Sequence, residues 1–348
     1  MKFDFAIGNP PYQEETIGEN KTFAPQIYHK FMDAAYLVAD KVELVHPSKF
    51  LFDSRSTPKE WNQKMLNDKH FKILEYESNA QKIFPTTNLS SGIVISYYDK
   101  THNFEPIVVF APFNELKSLL TKVVHHDSYI SIQNCIWVQT RFNLNILFSD
   151  YPELKNVKGS DGKDSRFEKD SFSKIPVFTD IPINEDDIHT LGIVDRKYKT
   201  WKYIQRKYVD SSQENLMAFK VITSVSNGAA GNLGETSARI IGETVLGEPG
   251  DGYTRSFIGI GNFELKEDAI NCQKYLRTKF ARVMIGIKKS TNMLNPDVWQ
   301  YVPLQDFTPN SDIDWTKSIS EIDKQLYVKY KLSPDEIEFI ETHVKEME

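Results

Sequence analysis

The chain opens on a short apolar run, FDFAI (residues 3–7), closed by Gly8 and Pro10. Brief apolar runs bounded by turn residues predict buried parallel strands. A polar, glycine-bearing stretch, QEETIGENKTFAP, follows as a loop. IYHKFMDAAYLVAD then sets Ile27, Phe31, Ala34, Ala35 and Val38 on one helical face. KVELVHPSKFLF predicts a second strand, broken at Pro47. Thr57-Pro58 predicts a helix start, with Thr57 as cap and proline at the first helical position. FKILEYESNAQKIF contains a third strand, SSGIVISYYDK a fourth and FEPIVVFAP a fifth. Strands alternating with helices predict an α/β sheet, turning antiparallel where the fourth and fifth strands follow closely.

Beyond residue 115 the pattern changes to mixed elements and longer loops. KGSDGKDSRFEKDS (158–171) is polar and turn-rich, SNGAAGNLGE (226–235) is glycine-rich, and GEPGDG (247–252) is another turn cluster. The expected division is 1–115, an α/β unit; 116–312, a mixed α+β unit; and 313–348, a helical tail. The tail closes with a capping box from Ser333 to Glu336, with Pro334 in the first turn.

Composition leaves an ordinary globular class. Of 348 residues, 40% are hydrophobic and 26% charged. No run approaches the roughly 18 apolar residues of a membrane helix. The two cysteines, Cys135 and Cys272, form neither a disulfide framework nor a metal-ligand spacing. A reducing, cytoplasmic compartment is expected, with no metal. The net charge of −6 disfavours nucleic acid in sum, but binding follows the local field. RKYKTWKYIQRKY (196–208) sets six basic residues among aromatic ones. It is either a solvated helix face or a surface that tracks a phosphate backbone.

Asn9-Pro10-Pro11-Tyr12 follows directly on the first strand, where open α/β sheets place ligand sites. The prolines fix two φ angles and remove two backbone donors. The Asn9 amide oxygen and the Pro10 carbonyl remain as two acceptors in a rigid frame. Two acceptors match the two N–H groups of an exocyclic amine, and Tyr12 offers a face on which a flat base stacks. His29 and His46 are expected to be surface or packing residues.

FDFAIGNPPYQ resembles the catalytic motif of the adenine-N6 DNA methyltransferases of restriction–modification systems. VHPSKFLF (45–52) resembles the strand-and-proline segment that follows there. KIFPTTNLSSGIVISYY (82–98) resembles the late motif whose aromatic residue, here Phe84, closes on a flipped base opposite Tyr12. WQYVPLQDF and DIDWTKSISEIDKQLYVKYKLSPDEIEFIE are similar to the carboxyl ends of large type II methylases and combined restriction–methylases. The resemblance implies a partial Rossmann-like methyltransferase sheet, its carboxyl-terminal half, over 1–115. A target-recognition domain (116–312) and the helical tail would follow. It implies S-adenosylmethionine as cofactor, double-stranded DNA as partner, and Asn9, Pro10, Pro11 and Tyr12 as catalytic residues. Lys202, Arg206, Lys220, Asn227 and Arg255 are then candidates for DNA contact. Lys279, Arg282, Lys288 and Lys289 are candidates for phosphates, or for solvating a helix and the loop after it.

In such enzymes a glycine turn and an acid-ended strand hold the cofactor ahead of the Asn-Pro-Pro-Tyr motif. Only eight residues precede Asn9. The expectation is therefore a fragment or subunit, with Asn9 its one cofactor-facing residue and an upstream segment or partner supplying the rest. SFIGIGNFE (256–264) offers a glycine turn in permuted order, but the strand expected next, VMIGI, runs into Lys288-Lys289, the wrong charge for ribose hydroxyls. Two alternatives remain open: a non-catalytic DNA-binding module, and a methyltransferase acting on another amino group such as a protein glutamine or an RNA base.

Overall fold

The computed structural model describes residues 2–14, 24–52, 56–86, 89, 92–159, 164–195, 197–226, 228–234 and 236–347. Its contacts divide the chain into Met1–Lys117 and Ser118–Glu348.

In the first unit β1 (Phe3–Gly8), α1 (Tyr28–Val38), β2 (Ala39–Pro47), α2 (Lys59–Leu66), β3 (Phe71–Glu77) and β4 (Ile93–Asp99) follow in order. Among the described residues they make one sheet, in spatial order β1-β2-β4-β3. β1 and β2 are parallel, with Phe3 opposite Ala39 and Gly8 opposite Leu44. β4 lies antiparallel to both β2 and β3. The expected mixed α/β sheet is present, but the antiparallel partner differs. FEPIVVFAP forms no strand; Val108 sits at φ 55° and its N–H bonds the Leu66 carbonyl at 2.8 Å. The turn that this left-handed residue makes breaks the extended run.

The core lies against one face of the sheet. Val42 and Leu44 of β2 and Val94 of β4 meet Tyr28 and Met32 of α1, Trp61 and Met65 of α2, and Phe50. The buried stripe of α1 is Tyr28, His29, Met32 and Tyr36, not the face through Ile27 and Phe31. Phe31 and Val38 are 44% and 41% exposed. Residues 28, 32 and 36 repeat every four positions, and the two tyrosines carry the larger area to bury. Tyr36 stacks on Tyr98 at 4.1 Å. Thr57 does not cap α2. Its hydroxyl bonds Asn62 Oδ1 at 2.5 Å, and the helix begins after Pro58.

His46 is wholly buried, stacked on Tyr28 with ring centroids 5.6 Å apart. Nδ1 faces the Pro47 carbonyl at 3.1 Å, so it must carry the proton; Nε2 then accepts from the Ser96 hydroxyl at 2.8 Å. Burial holds the imidazole down to about 4, against a smaller opposing effect of the Pro47 carbonyl.

The second unit continues from α3 (Asn114–Val124), which carries the boundary, through β5 (Ile136–Trp137), α4 (Leu144–Asp150), α5 (Ser171–Lys174), β6 (Phe178–Thr179), β7 (Ile188–Val194), β8 (Tyr198–Ile204), β9 (Phe219–Ser224), β10 (Thr244–Gly247), β11 (Asp251–Tyr253) and β12 (Phe257–Phe263). α6 (Lys266–Arg277), α7 (Lys279–Lys288), α8 (Ile319–Lys329) and α9 (Pro334–His343) close it. Among the described residues two further sheets form, ordered β10-β9-β12-β5 and β11-β7-β8-β6. The Ser333 to Glu336 capping box is present, with Pro334 in the first turn. The tail helices pack inside this unit: the Asp323 carboxylate of α8 accepts from the N–H groups of Lys279 and Phe280, at 3.0 and 2.9 Å, and so caps α7.

The permuted cofactor turn is overturned here. SFIGIG is a strand paired antiparallel on both edges, to β5 and β9, and VMIGI is helical within α7. Its glycines have packing reasons. A Cβ on Gly259 would clash with the Tyr253 hydroxyl, and Gly261 sits at φ +86° under the Phe263 ring.

Because His46 is neutral and buried in the fold but ordinary when unfolded, stability is full above about pH 6.5 and falls as pH drops toward about 4. Between pH 7 and 4.5 this histidine alone removes roughly 2–3 kcal/mol. Denaturant titrations at the two pH values should show a loss smaller by that amount in His46→Gln. An equal loss in both proteins refutes the assignment.

Candidate functional site

Asn9 to Tyr12 stand at the carboxyl end of β1, beyond the last residue pair of the β1–β2 ladder. Asn9 and Pro11 are exposed, while Pro10 and Tyr12 are half-buried. The chain after the prolines is fixed by backbone bonds. The Ile27 N–H donates to the Tyr12 carbonyl at 3.1 Å, the Glu14 N–H to the Pro25 carbonyl at 3.0 Å, and Gln13 bridges Gln26. The entry to α1 thus braces the motif. Burial raises the Tyr12 phenol, and the Asn9 side chain beside it offsets part of the rise. The Tyr12 hydroxyl is buried with no hydrogen-bond partner among the described residues.

Phe84 lies in the same unit, half-buried, its N–H bonded to the Ala80 carbonyl at 2.8 Å after the turn Ala80–Lys82. Two residues near the motif carry no sequence signal. Gln26 Oε1 and His29 Nδ1 are buried with no hydrogen-bond partner among the described residues. Burial, then Lys30, lowers the His29 imidazole, with Asp33 opposing. His29 and His46 are both buried packing residues, on the packing side of the expectation.

Among the described residues the strand beside β1 offers no S-adenosylmethionine site. That strand, β2, ends in Val45-His46-Pro47, with no acid to hold ribose hydroxyls and no glycine turn.

The second unit treats its cations in two ways. The basic–aromatic segment is not a helix: β8 runs through it, paired along its length with β7. Lys202 lines a cleft of about 790 Å³ together with Lys169, Phe172, Asp195, Ser226 and Ser256. Of the expected DNA contacts among the described residues, Lys202 lines this cleft. Asn227 itself lies outside the described residues. Arg255 is exposed and meets Glu168 at 3.3 Å; Lys202 meets Asp180 at 2.8 Å. Pairs this open to solvent are weak and exchangeable. Arg206 is half-buried against Met217 Sδ at 3.0 Å.

Other cations are structural, contrary to expectation. Lys220 is fully buried, its ammonium donating to the carbonyls of Leu216, Glu248 and Asp251 at 3.1, 3.0 and 2.9 Å. Burial lowers it to about 8, with Asp251 opposing. Arg282, also buried, donates to the carbonyls of Arg277, Thr278, Arg239 and Lys345. Lys289 is 3% exposed and holds the Gly231 carbonyl and Asn232 Oδ1 at 2.6 and 2.7 Å. The described part of the glycine-rich loop is thus tied down. Lys288 bonds Gln300 Oε1 at 2.7 Å, and Lys279 pairs with Glu341.

With this geometry in hand, the comparison with known proteins is specific. Residues 1–84 match the Eco57I restriction-modification methylase family. The match begins at the motif strand and ends on Phe84, so it spans Asn9 to Tyr12 and the candidate stacking residue. It supports an adenine methyltransferase of the restriction–modification type, as the motif resemblance implied. An uncharacterized adenine-specific methylase of Mycoplasma pneumoniae is 22% identical over 174 residues, 49% of this chain and 41% of that protein. The match thus spans about two fifths of that relative's length. Among the described residues no helix is long and apolar enough to cross a membrane.

Lys220→Met should cost roughly 2–4 kcal/mol of stability, since it removes a buried ammonium that donates to three carbonyls. Arg255→Ala should leave stability within about 0.5 kcal/mol and lower the salt slope of DNA binding by about 1. Denaturant titration and binding isotherms at several salt concentrations separate them. A stable Lys220→Met protein with weakened DNA binding would reverse the assignment.

Proposed function

We propose that this chain carries the target-base pocket and DNA-reading part of a site-specific adenine-N6 DNA methyltransferase. The observation that carries the reading is the rigid Asn9-Pro10-Pro11-Tyr12 turn at the carboxyl end of β1, inside the segment that matches the methylase family.

The target adenine leaves the duplex, at a cost of a few kcal/mol. Stacking on Tyr12, and on Phe84 from the opposite side, returns about 1–3 kcal/mol per aromatic contact. The exposed Asn9 amide oxygen and the Pro10 carbonyl accept the two N–H bonds of the exocyclic amine. Holding both protons turns the nitrogen lone pair out of the ring plane and aims it along one line. Positioning and electrostatics of this kind require no histidine base. S-adenosylmethionine is the methyl donor of this enzyme class. Among the described residues the strand beside β1 ends without the glycine turn and acid that would hold it, which supports an upstream segment or partner subunit as the source of that part. Duplex DNA is read by the second unit, where Lys202 lines a cleft and Arg255 stands exposed.

Three measurements test the reading. In the presence of the cofactor-binding part, Asn9→Ala should lower methyl transfer by at least about 10²-fold. The same variant should keep its salt-sensitive DNA affinity. Tyr12→Ala should lose about 1–3 kcal/mol of transition-state binding, and Tyr12→Phe almost none of it. An Asn9→Ala protein that methylates adenine at the full rate sinks the proposal.

A further inference from the structure

The cleft of about 790 Å³ in the second unit falls in the range, roughly 300–1,000 Å³, that holds a small ligand. Duplex DNA can lie across such an opening, but only a nucleotide that has left the stack can enter it.

One side of the cleft is apolar and carries an aromatic ring. Phe172 of α5 lies against the backbone of β7 at Gly192, where a Cβ would clash with its ring. Phe178 meets it at a tilt, with centroids 4.9 Å apart. Val194, at the end of β7, and Val225, just past β9, continue this side.

Ser256 supplies the polar group that the fold leaves unused. It is 7% exposed and lines the cleft, and among the described residues its hydroxyl has no hydrogen-bond partner. Hydroxyls so deeply buried are normally satisfied. This one is left to whatever fills the cleft.

The charges at the margin suit a phosphate. Lys169 is exposed, with no ion-pair partner among the described residues. The Lys202 ammonium reaches Asp180 at 2.8 Å, and that aspartate is 84% exposed. A phosphate replaces so open a carboxylate at little cost. Of the two carboxylates in the lining, Asp170 is paired with Lys174 at 2.8 Å. Asp195, exposed at the turn between β7 and β8, supplies an acceptor for a base amino group.

An aromatic wall, an unused buried hydroxyl and two cations match a flat base, a polar edge and a phosphate. We propose that this cleft takes one unstacked nucleotide, with its base on Phe172, a polar atom of base or sugar on the Ser256 hydroxyl, and its phosphate on Lys169 and Lys202. The nucleotide comes either from bound DNA, as an extrahelical residue, or from solution. The first source rests on the reading of this unit as DNA-binding; the site itself rests on the cleft alone.

The test uses the whole chain. The 5′-monophosphate of 2-aminopurine deoxyriboside is titrated with protein and followed by fluorescence anisotropy, and one saturable site is expected. Lys169→Gln should weaken binding about tenfold and Ser256→Ala about three- to tenfold, each keeping the unfolding curve of the parent protein. Phe172→Leu should cost about tenfold, through lost stacking. A second arm compares a DNA duplex with the same duplex carrying one unpaired adenine nucleotide. If DNA is the source, the bulged duplex binds at least about tenfold tighter, and Ser256→Ala removes that preference. Mononucleotide binding without the preference keeps the site and assigns it to a free nucleotide. No saturable binding of the mononucleotide and no preference for the bulge, or binding unchanged in all three variants, overturns the proposal. Neither arm involves methyl transfer, so these results and those of Asn9→Ala stand or fall separately.

Discussion

β1 is held along one edge by β2, in parallel register from Phe3 opposite Ala39 to Gly8 opposite Leu44. Asn9 and Pro10 leave that ladder directly, so the direction of their two acceptors is set by the strand behind them. β2 is in turn fixed by the aromatic stack of Tyr28, His46 and Phe50, and α1 reaches back to clasp the Tyr12 carbonyl. A buried neutral imidazole thus stands behind the strand that aims the candidate site. Its cost is a core that loses stability in acid.

The second unit shows how little a count of basic residues says about a binding surface. Lys220, Arg282 and Lys289 end inside the protein, each donating to backbone carbonyls. A long cationic side chain can cross a core and satisfy several acceptors from one atom. The charges left near the surface cleft, Lys202 and Arg255, are paired with Asp180 and Glu168 in solvent-exposed bridges. Phosphates compete well for such charges, because exchanging one anion for another costs little where water already screens both.

Local patterns were legible where one physical requirement dominated. The strand at residues 3–8, its parallel pairing through a helix, the capping box at Ser333 and the proline-fixed turn at Asn9 all follow from short-range sterics and hydrogen bonding. Legibility failed where packing chose between equal local options. VMIGI is apolar and β-branched enough for a strand, yet Thr278 and the Asp323 carboxylate cap it as a helix from a distant part of the chain. The basic–aromatic segment has spacing that suits a helix face, yet pairing with β7 makes it a strand. Helix α1 was placed correctly in sequence but rotated, since the apolar count hid the greater burial of two tyrosines.

The sequence by itself determined the chemistry of the motif: two acceptors, two locked φ angles and an aromatic face follow from Asn9, Pro10, Pro11 and Tyr12 whatever surrounds them. It also determined the family to which residues 1–84 are similar. Only the tertiary structure decided which lysines are available to a ligand, because burial depends on residues far away in the chain. It alone revealed that β1, which reads as a buried strand, lies at a sheet edge with Phe3, Phe5 and Ile7 in solvent. An apolar run states that a strand is to be covered; what covers it is a property of the assembled sheet.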